Sequence, residues 1–227
     1  SAAADLVSEN VPEDPQIKGE VLARVHALAP ARAILTTNSS SLIPSMFAAM
    51  TGRPERLLAL HFHKTVWVSN VVDVMPHSGT NLKLVGVVTE FARSIRQIPI
   101  VLQRETQGYV FNSMLQAYMT AAMALWASGT ASIEDIDRAW MVAERSEHGP
   151  FGAMDYIGLD TIYHIMKYWA EASKEPAVAV AATKLKAEFI DRGRLGAKSG
   201  LGFYRYPHPA FQDPLFLDPM SQTAASD

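Results

Sequence analysis

Over roughly the first hundred residues, short apolar runs alternate with helical patterns, and near residue 105 this alternation stops. A strand-and-helix alternation of this kind calls for βαβ units around a mostly parallel sheet. Asp5-Leu6-Val7 opens a strand, and Pro15 to Leu28 gives a helix with Ile17, Val21, Leu22, Val25 and Leu28 on one face and Pro15 in its first turn. Ala33 to Thr37 is a second strand, followed by a Ser-rich turn and a short helix around Ser45 to Met50. Leu57 to Phe62 is almost continuously apolar, as expected of a strand covered on both faces. Val71 to Met75 is a further strand, Asn81 to Ile95 a helix and Ile98 to Leu102 a last strand.

From Gly108 onward only helical patterns remain: Tyr109 to Ala127, a helix capped by Ser132, Met154 to Glu171, and Lys174 to Asp191. The expected organisation is therefore a partial Rossmann domain over 1–103, an all-helical domain over 104–206, and a Pro-rich extended tail over 207–227 that packs on the surface or is partly mobile. The chain has no initiator Met and enters a strand almost at once, so it reads as starting inside a domain.

Composition narrows the partners. A net charge of -3 without any long run of like charge offers nothing to nucleic acid or an anionic membrane, and no apolar run reaches the roughly 18 residues of a span. With 48% hydrophobic residues the 227-residue chain can bury a sizeable core. It contains no cysteine, and its seven histidines form no HExxH pattern, so disulfides, thiolate chemistry and the common zinc motifs are excluded. A small ligand and a reducing, cytoplasmic setting fit these facts.

In open parallel sheets ligands bind beyond the carboxyl ends of the strands. Asn38-Ser39-Ser40-Ser41 follows one strand, and His61 closes the run Leu57 to Leu60. Asp73 lies twelve residues past His61, far enough for a turn and an adjacent strand to return its carboxylate to the imidazole. A His with a carboxylate partner suits general acid/base work near neutral pH, which an alcohol oxidation needs. The same spacing also fits a hydrogen-bonded core histidine, the serines fit a loop and helix cap, and Asn112 fits a cap as well. From these residues alone both readings stay open.

Six short segments occur together, in order, and resemble the 3-hydroxyacyl-CoA dehydrogenase family up to about Tyr206. They are Asp5-Leu6-Val7 with its acidic turn through Glu13, Thr37-Asn38-Ser39-Ser40-Ser41-Leu42, Leu60-His61-Phe62, Gly108-Tyr109-Val110-Phe111-Asn112, the run from Gly149-Pro150-Phe151 to Gly158-Leu159-Asp160, and Lys198-Ser199-Gly200-Leu201-Gly202-Phe203-Tyr204. The resemblance implies an NAD-dependent enzyme that interconverts 3-hydroxyacyl-CoA and 3-oxoacyl-CoA, and a homodimer built through the helical domain. It implies His61 as general acid/base, Asp73 as its orienting partner, and Ser40 and Asn112 as donors to substrate oxygens. Glu13, Lys18, Ser40, Lys64 and Lys198 are implied on the NAD side.

The match departs from the family at three places. The family's Asn-Pro after His-Phe-Phe gives way to His61-Phe62-His63-Lys64-Thr65, its orienting Glu is the shorter Asp73, and Trp67-Val68-Ser69-Asn70 brings polar and aromatic residues in place of the family's Pro-Val-Met-Lys-Leu. The changes at Lys64 and Trp67 would offer a partner to a free carboxylate, so a dehydrogenase of a free 3-hydroxy acid or related alcohol is the alternative enzyme. No Gly-x-Gly-x-x-Gly phosphate loop occurs in the sequence, which leaves a third expectation, a non-catalytic dimeric binding module.

Overall fold

The computed structural model describes residues 3–63, 65–173 and 176–218. The chain falls into two compact units, Ser1–Met114 and Leu115–Asp227. The first holds a five-stranded sheet, β1 (Leu6–Glu9), β2 (Ile34–Thr37), β3 (Leu57–Phe62), β4 (Val71–Pro76) and β5 (Ile98–Val101), in that spatial order. Neighbours are parallel except β3 and β4, which run antiparallel and place Leu60 opposite Val74 and His61 opposite Asp73. The sheet is thus mostly parallel, as the alternating pattern predicts.

Helix α1 (Pro15–Leu28) begins where its residues dictate. Asp14 accepts hydrogen bonds from the amides of Gln16 (2.8 Å) and Ile17 (3.0 Å), and Pro15 occupies a first-turn position whose missing N–H costs nothing. Its Leu22 packs with Leu35, Leu57 and Phe47 on one face of the sheet. On the other face, Leu84, Val88 and Ala92 of α2 (Lys83–Ser94) meet Ile34, Leu58, Leu60, Val72 and Val74. Leu57 to Leu60 are all fully buried, which explains why β3 reads as a continuous apolar run rather than an alternating one. Period-two alternation then assigns His61 to the face of Leu57 and Ala59, and Asp73 to that of Met75. The short helix expected around Ser45 is instead two 3-10 turns, Pro44–Met46 and Ala48–Thr51, the second closed by Gly52 at φ 76°.

The helices α3 (Phe111–Ala127), α4 (Ile133–Glu144), α5 (Pro150–Ile157), α6 (Leu159–Ser173) and α7 (Pro176–Glu188) follow, α3 starting before the division between the units. The single helix expected from Met154 to Glu171 is two, because Gly149-Pro150 starts α5 early and Gly158, at φ 105°, breaks the backbone before α6. The core of the second unit gathers Met123, Trp126, Phe151, Met154, Leu185, Phe189 and Phe203. Phe211 and Phe216 join it from two 3-10 turns, Ala210–Gln212 and Pro214–Phe216, so the Pro-rich segment as far as Asp218 is packed rather than simply extended. No helix among the described residues is long and apolar enough to cross a membrane.

Two carboxylates sit inside this helical core. Asp137 of α4, fully buried, accepts from the amides of Phe151 (2.8 Å) and Gly152 (2.9 Å) and from the Tyr204 hydroxyl (2.9 Å), and so caps α5 from a neighbouring helix. Asp155 of α5 accepts from the amides of Phe203 (2.9 Å) and Tyr204 (2.8 Å) and from the Tyr206 hydroxyl (3.2 Å). A Cβ on Gly149 would lie 2.5 Å from the Asp137 carboxylate and one on Gly202 only 2.0 Å from that of Asp155. The Gly-Pro-Phe and Gly-Phe-Tyr segments are therefore assembly instructions for two buried carboxylates, whatever else they do.

Candidate active site

The carboxyl ends of the parallel strands β1, β2 and β3 open on one edge of the sheet, and the chemistry-bearing residues collect there. The antiparallel register brings the imidazole of His61 (4% exposed) onto the carboxylate of Asp73 (1% exposed), with Nδ1 3.1 Å from Oδ2. A carboxylate only accepts, so the proton of neutral His61 is held on Nδ1 and the lone pair stands on Nε2. That nitrogen is 3.1 Å from the hydroxyl of exposed Ser40, which donates to it. The result is a buried base whose free lone pair meets the outside through one serine.

Several neighbours hold this arrangement. Tyr109 stacks on His61 with ring centroids 4.5 Å apart and planes 6° from parallel, while its hydroxyl donates to the Ser39 carbonyl at 2.7 Å. Burial, reinforced by the Asp73 charge, drives the Tyr109 phenol well above its ordinary value, so it remains a donor. Asn38 accepts from the Phe62 amide at 2.8 Å and ties the end of β2 to that of β3. His63, two residues past His61 on the same face, donates from Nε2 to the same Asp73 Oδ2 at 2.9 Å.

The serine loop is shaped by charge. Glu13 Oε1 accepts from the Ser39 hydroxyl (2.5 Å), the Ser40 amide (3.0 Å) and the amide and hydroxyl of Ser41 (2.9 and 2.8 Å). Burial alone would push the Glu13 carboxyl up, but these bonds and the Lys18 charge outweigh it and bring it down to about 2. Lys18, 1% exposed, bonds Glu9 Oε1 (2.9 Å), the Val11 carbonyl (3.0 Å) and Glu13 Oε2 (3.2 Å). Lys18→Met removes that ammonium and leaves Glu9, 4% exposed, as an uncompensated buried charge. Urea denaturation should register a loss of about 3–5 kcal/mol; a loss under about 1 kcal/mol would contradict a structural role for the pair.

The structure thus brings His61, Asp73, Ser40 and Glu13 to one place, with Lys18 buried beneath Glu13. Asn112 sits in the first turn of α3, half-buried, and its side chain has no hydrogen-bond partner among the described residues. Lys198 belongs to the second unit, where both carboxylate oxygens of Asp160 approach it at 2.6 Å and its hydrogen bond holds the Asp160 carboxyl below the usual range. Lys64 lies outside the described residues. Sequence reasoning missed Tyr109, Glu9 and the attachment of His63 to Asp73. The His-x-His spacing of His61 and His63 across the end of β3 was the available signal for the last.

The family model of the 3-hydroxyacyl-CoA dehydrogenase NAD binding domain matches residues 1–106, and that of the 3-hydroxyacyl-CoA dehydrogenase C-terminal domain matches residues 108–206. The chain belongs to the 3-hydroxyacyl-CoA dehydrogenase family. It is 32% identical to the mitochondrial hydroxyacyl-coenzyme A dehydrogenase of Homo sapiens over 90% of its own length and 64% of that protein's. It is 33% identical to a 3-hydroxybutyryl-CoA dehydrogenase of Mycobacterium tuberculosis, covering 88% of this chain and 70% of the relative. Among solved structures, a diketoreductase described as acting on dicarbonyl compounds shares 41% identity with a TM-score of 0.84, over 90% of this chain and 71% of that one. The chain spans just under two thirds of the length of the human relative.

The residues present fit one side of an NAD site. At the carboxyl edge of the parallel strands, Ser40 and Ser41 are exposed and the Glu13 side chain is 38% exposed, offering hydroxyls and a carboxylate beside the base.

Proposed function

We propose that this chain forms the acid/base and substrate half of an NAD-dependent dehydrogenase that interconverts 3-hydroxyacyl-CoA and 3-oxoacyl-CoA. The observation that carries the reading is the orientation of His61, with Nδ1 committed to Asp73 and Nε2 turned to exposed Ser40. When bound, NAD supplies the hydride acceptor. His61 Nε2 takes the proton of the substrate's 3-hydroxyl, and Asp73 stabilises the imidazolium that forms. In reduction the same nitrogen returns that proton. Ser40 then turns its hydroxyl to the substrate oxygen, joined by Asn112, whose unengaged amide supports such a role. Glu13 faces the nucleotide with Ser40, and Lys18 acts through Glu13, since its own ammonium is buried. Lys198 and Lys64 are proposed as contacts to the dinucleotide on the family resemblance alone.

Exposed Leu125, Trp140, Val142 and Val180 on the helical unit support a homodimer through that unit. A cytoplasmic setting, with neither nucleic acid nor membrane as partner, completes the proposal; the modest net charge and the lack of cysteine are compatible with it.

A second reading, oxidation of a free 3-hydroxy acid or a related alcohol, is favoured by the likeness to a diketoreductase and by His63 at the site. NADH oxidation is measured with acetoacetyl-CoA and with free acetoacetate, using the chain joined to a glycine-loop half of a nucleotide-binding domain. A higher kcat/KM with the thioester is expected. Preference for the free acid would replace the first reading by the second.

A further inference from the structure

His61, His63 and Asp73 place two imidazoles and a carboxylate around one point. Their donor atoms lie within 4.8 Å of one another, and both imidazoles already touch Asp73 Oδ2, at 3.1 and 2.9 Å. Four ligands about a tetrahedral zinc ion at 2.0–2.1 Å stand roughly 3.3 Å apart, so the two His–Asp73 separations change by only a few tenths of an ångström, and the third, no more than 4.8 Å, closes by at most about 1.5 Å through rotation of the imidazoles. The second oxygen of Asp73 is the independent sign of a missing occupant: Oδ1 is buried in a residue 1% exposed and has no hydrogen-bond partner among the described residues. A buried carboxylate oxygen without a partner is costly, and a cation that takes both oxygens of the Asp73 carboxylate relieves it. Two neutral imidazoles and one carboxylate are a ligand set suited to Zn²⁺, Co²⁺ or Ni²⁺, with a fourth position left for water.

We infer that His61 Nδ1, His63 Nε2 and the Asp73 carboxylate form a binding site for a divalent transition-metal ion, and that its occupation switches off His61 as a base. Protons balance without an outside acceptor. The proton on His61 Nδ1 moves to Nε2 as Nδ1 takes the metal, and that on His63 Nε2 moves to Nδ1. His61 Nε2 then carries an N–H toward Ser40 in place of its lone pair, and no base faces the substrate. Binding of the ion does not depend on the dehydrogenase reading; the inhibitory consequence rests on it.

Co²⁺ serves as the probe. The wild-type chain is expected to take up one Co²⁺ with the ligand-field absorption of a four- or five-coordinate ion, and Zn²⁺ should bleach that spectrum. His63→Phe and His63→Gln each remove one ligand and should weaken Co²⁺ by at least about 100-fold, the upper end of the cost of deleting a mere outer-shell partner. Circular dichroism and melting confirm that each variant is folded. Absence of a stoichiometric Co²⁺ spectrum in the wild type, or wild-type affinity in both folded variants, overturns the site. In the joined, active form, Zn²⁺ should inhibit the wild type reversibly to chelator and spare His63→Phe. A bound Co²⁺ spectrum without inhibition keeps the site and removes His61 as the base, which separates the two failures.

Discussion

Replacing His61 by Ala is expected to lower kcat for the proposed reduction of a 3-oxoacyl-CoA by about 10²–10⁴-fold, the range that positioned acid/base catalysis supplies. The expectation follows from the geometry. Nε2 is the basic nitrogen because Nδ1 is held by Asp73, and burial of both groups keeps water from substituting for the imidazole. Asp73→Asn tests the same logic without changing volume. Its amide can donate to Nδ1, which moves the His61 proton to Nε2 and removes the lone pair while the ring stays in place. Both variants are compared with wild type, each joined to a glycine-loop half. Loss in kcat with little change in KM is expected for each. Turnover near wild type in His61→Ala would end the assignment of this residue, whatever the family.

A large effect on stability, dependent on pH, is expected in the helical unit. Asp137→Ala leaves the Phe151 and Gly152 amides and the Tyr204 hydroxyl without their acceptor in a fully buried place. The cost should be about 4 kcal/mol at pH 5, from three unsatisfied donors at roughly 1–3 kcal/mol each with partial relaxation. It should also depend on pH in a definite direction. Burial pushes the Asp137 carboxyl up to about 6, against the pull of the two amides, the tyrosine and His148. A folded-state pKa above the unfolded value means that the folded state holds the proton more tightly. The contribution is fully present below about 3.8 and is lost as pH rises through about 6. The gap between wild type and Asp137→Ala should therefore shrink by about 2 kcal/mol between pH 4 and pH 7. Urea titrations of both proteins at the two values decide it: a gap that widens toward pH 7 would show that Asp137 is held ionised.

Element type was legible where a single periodicity governed a segment. The apolar face of α1, its Asp14 cap and its Pro15 start all agree with one another, and α1 has the bounds that the pattern predicts. The continuous run of β3 announced a strand buried on both sides. What failed were places where a local break competed with a longer pattern. Gly158 divides a stretch whose apolar spacing reads as one helix, because backbone conformation at a glycine leaves no trace in hydrophobic period. Phe211 and Phe216 were hidden by the prolines around them, since proline density suggests an extended tail whether or not the aromatics between find a core.

For the candidate site, residue types in and after the strands marked His61, Asp73 and Ser40 as candidates but left their roles open, and only the six ordered segments, by resemblance to a family, gave them roles. Sequence by itself determined which residues carry titratable chemistry and which faces of β3 and α1 are apolar, because both follow from local spacing of two or 3.6 residues. Tertiary structure alone decided that β4 returns antiparallel with Asp73 opposite His61, that Lys18 is spent on Glu9 and Glu13, and that one Asp73 oxygen serves two histidines. Those are questions of register and of who satisfies whose hydrogen bonds in a buried space. Such pairings join residues five to twelve positions apart, across turns whose closure no local spacing specifies.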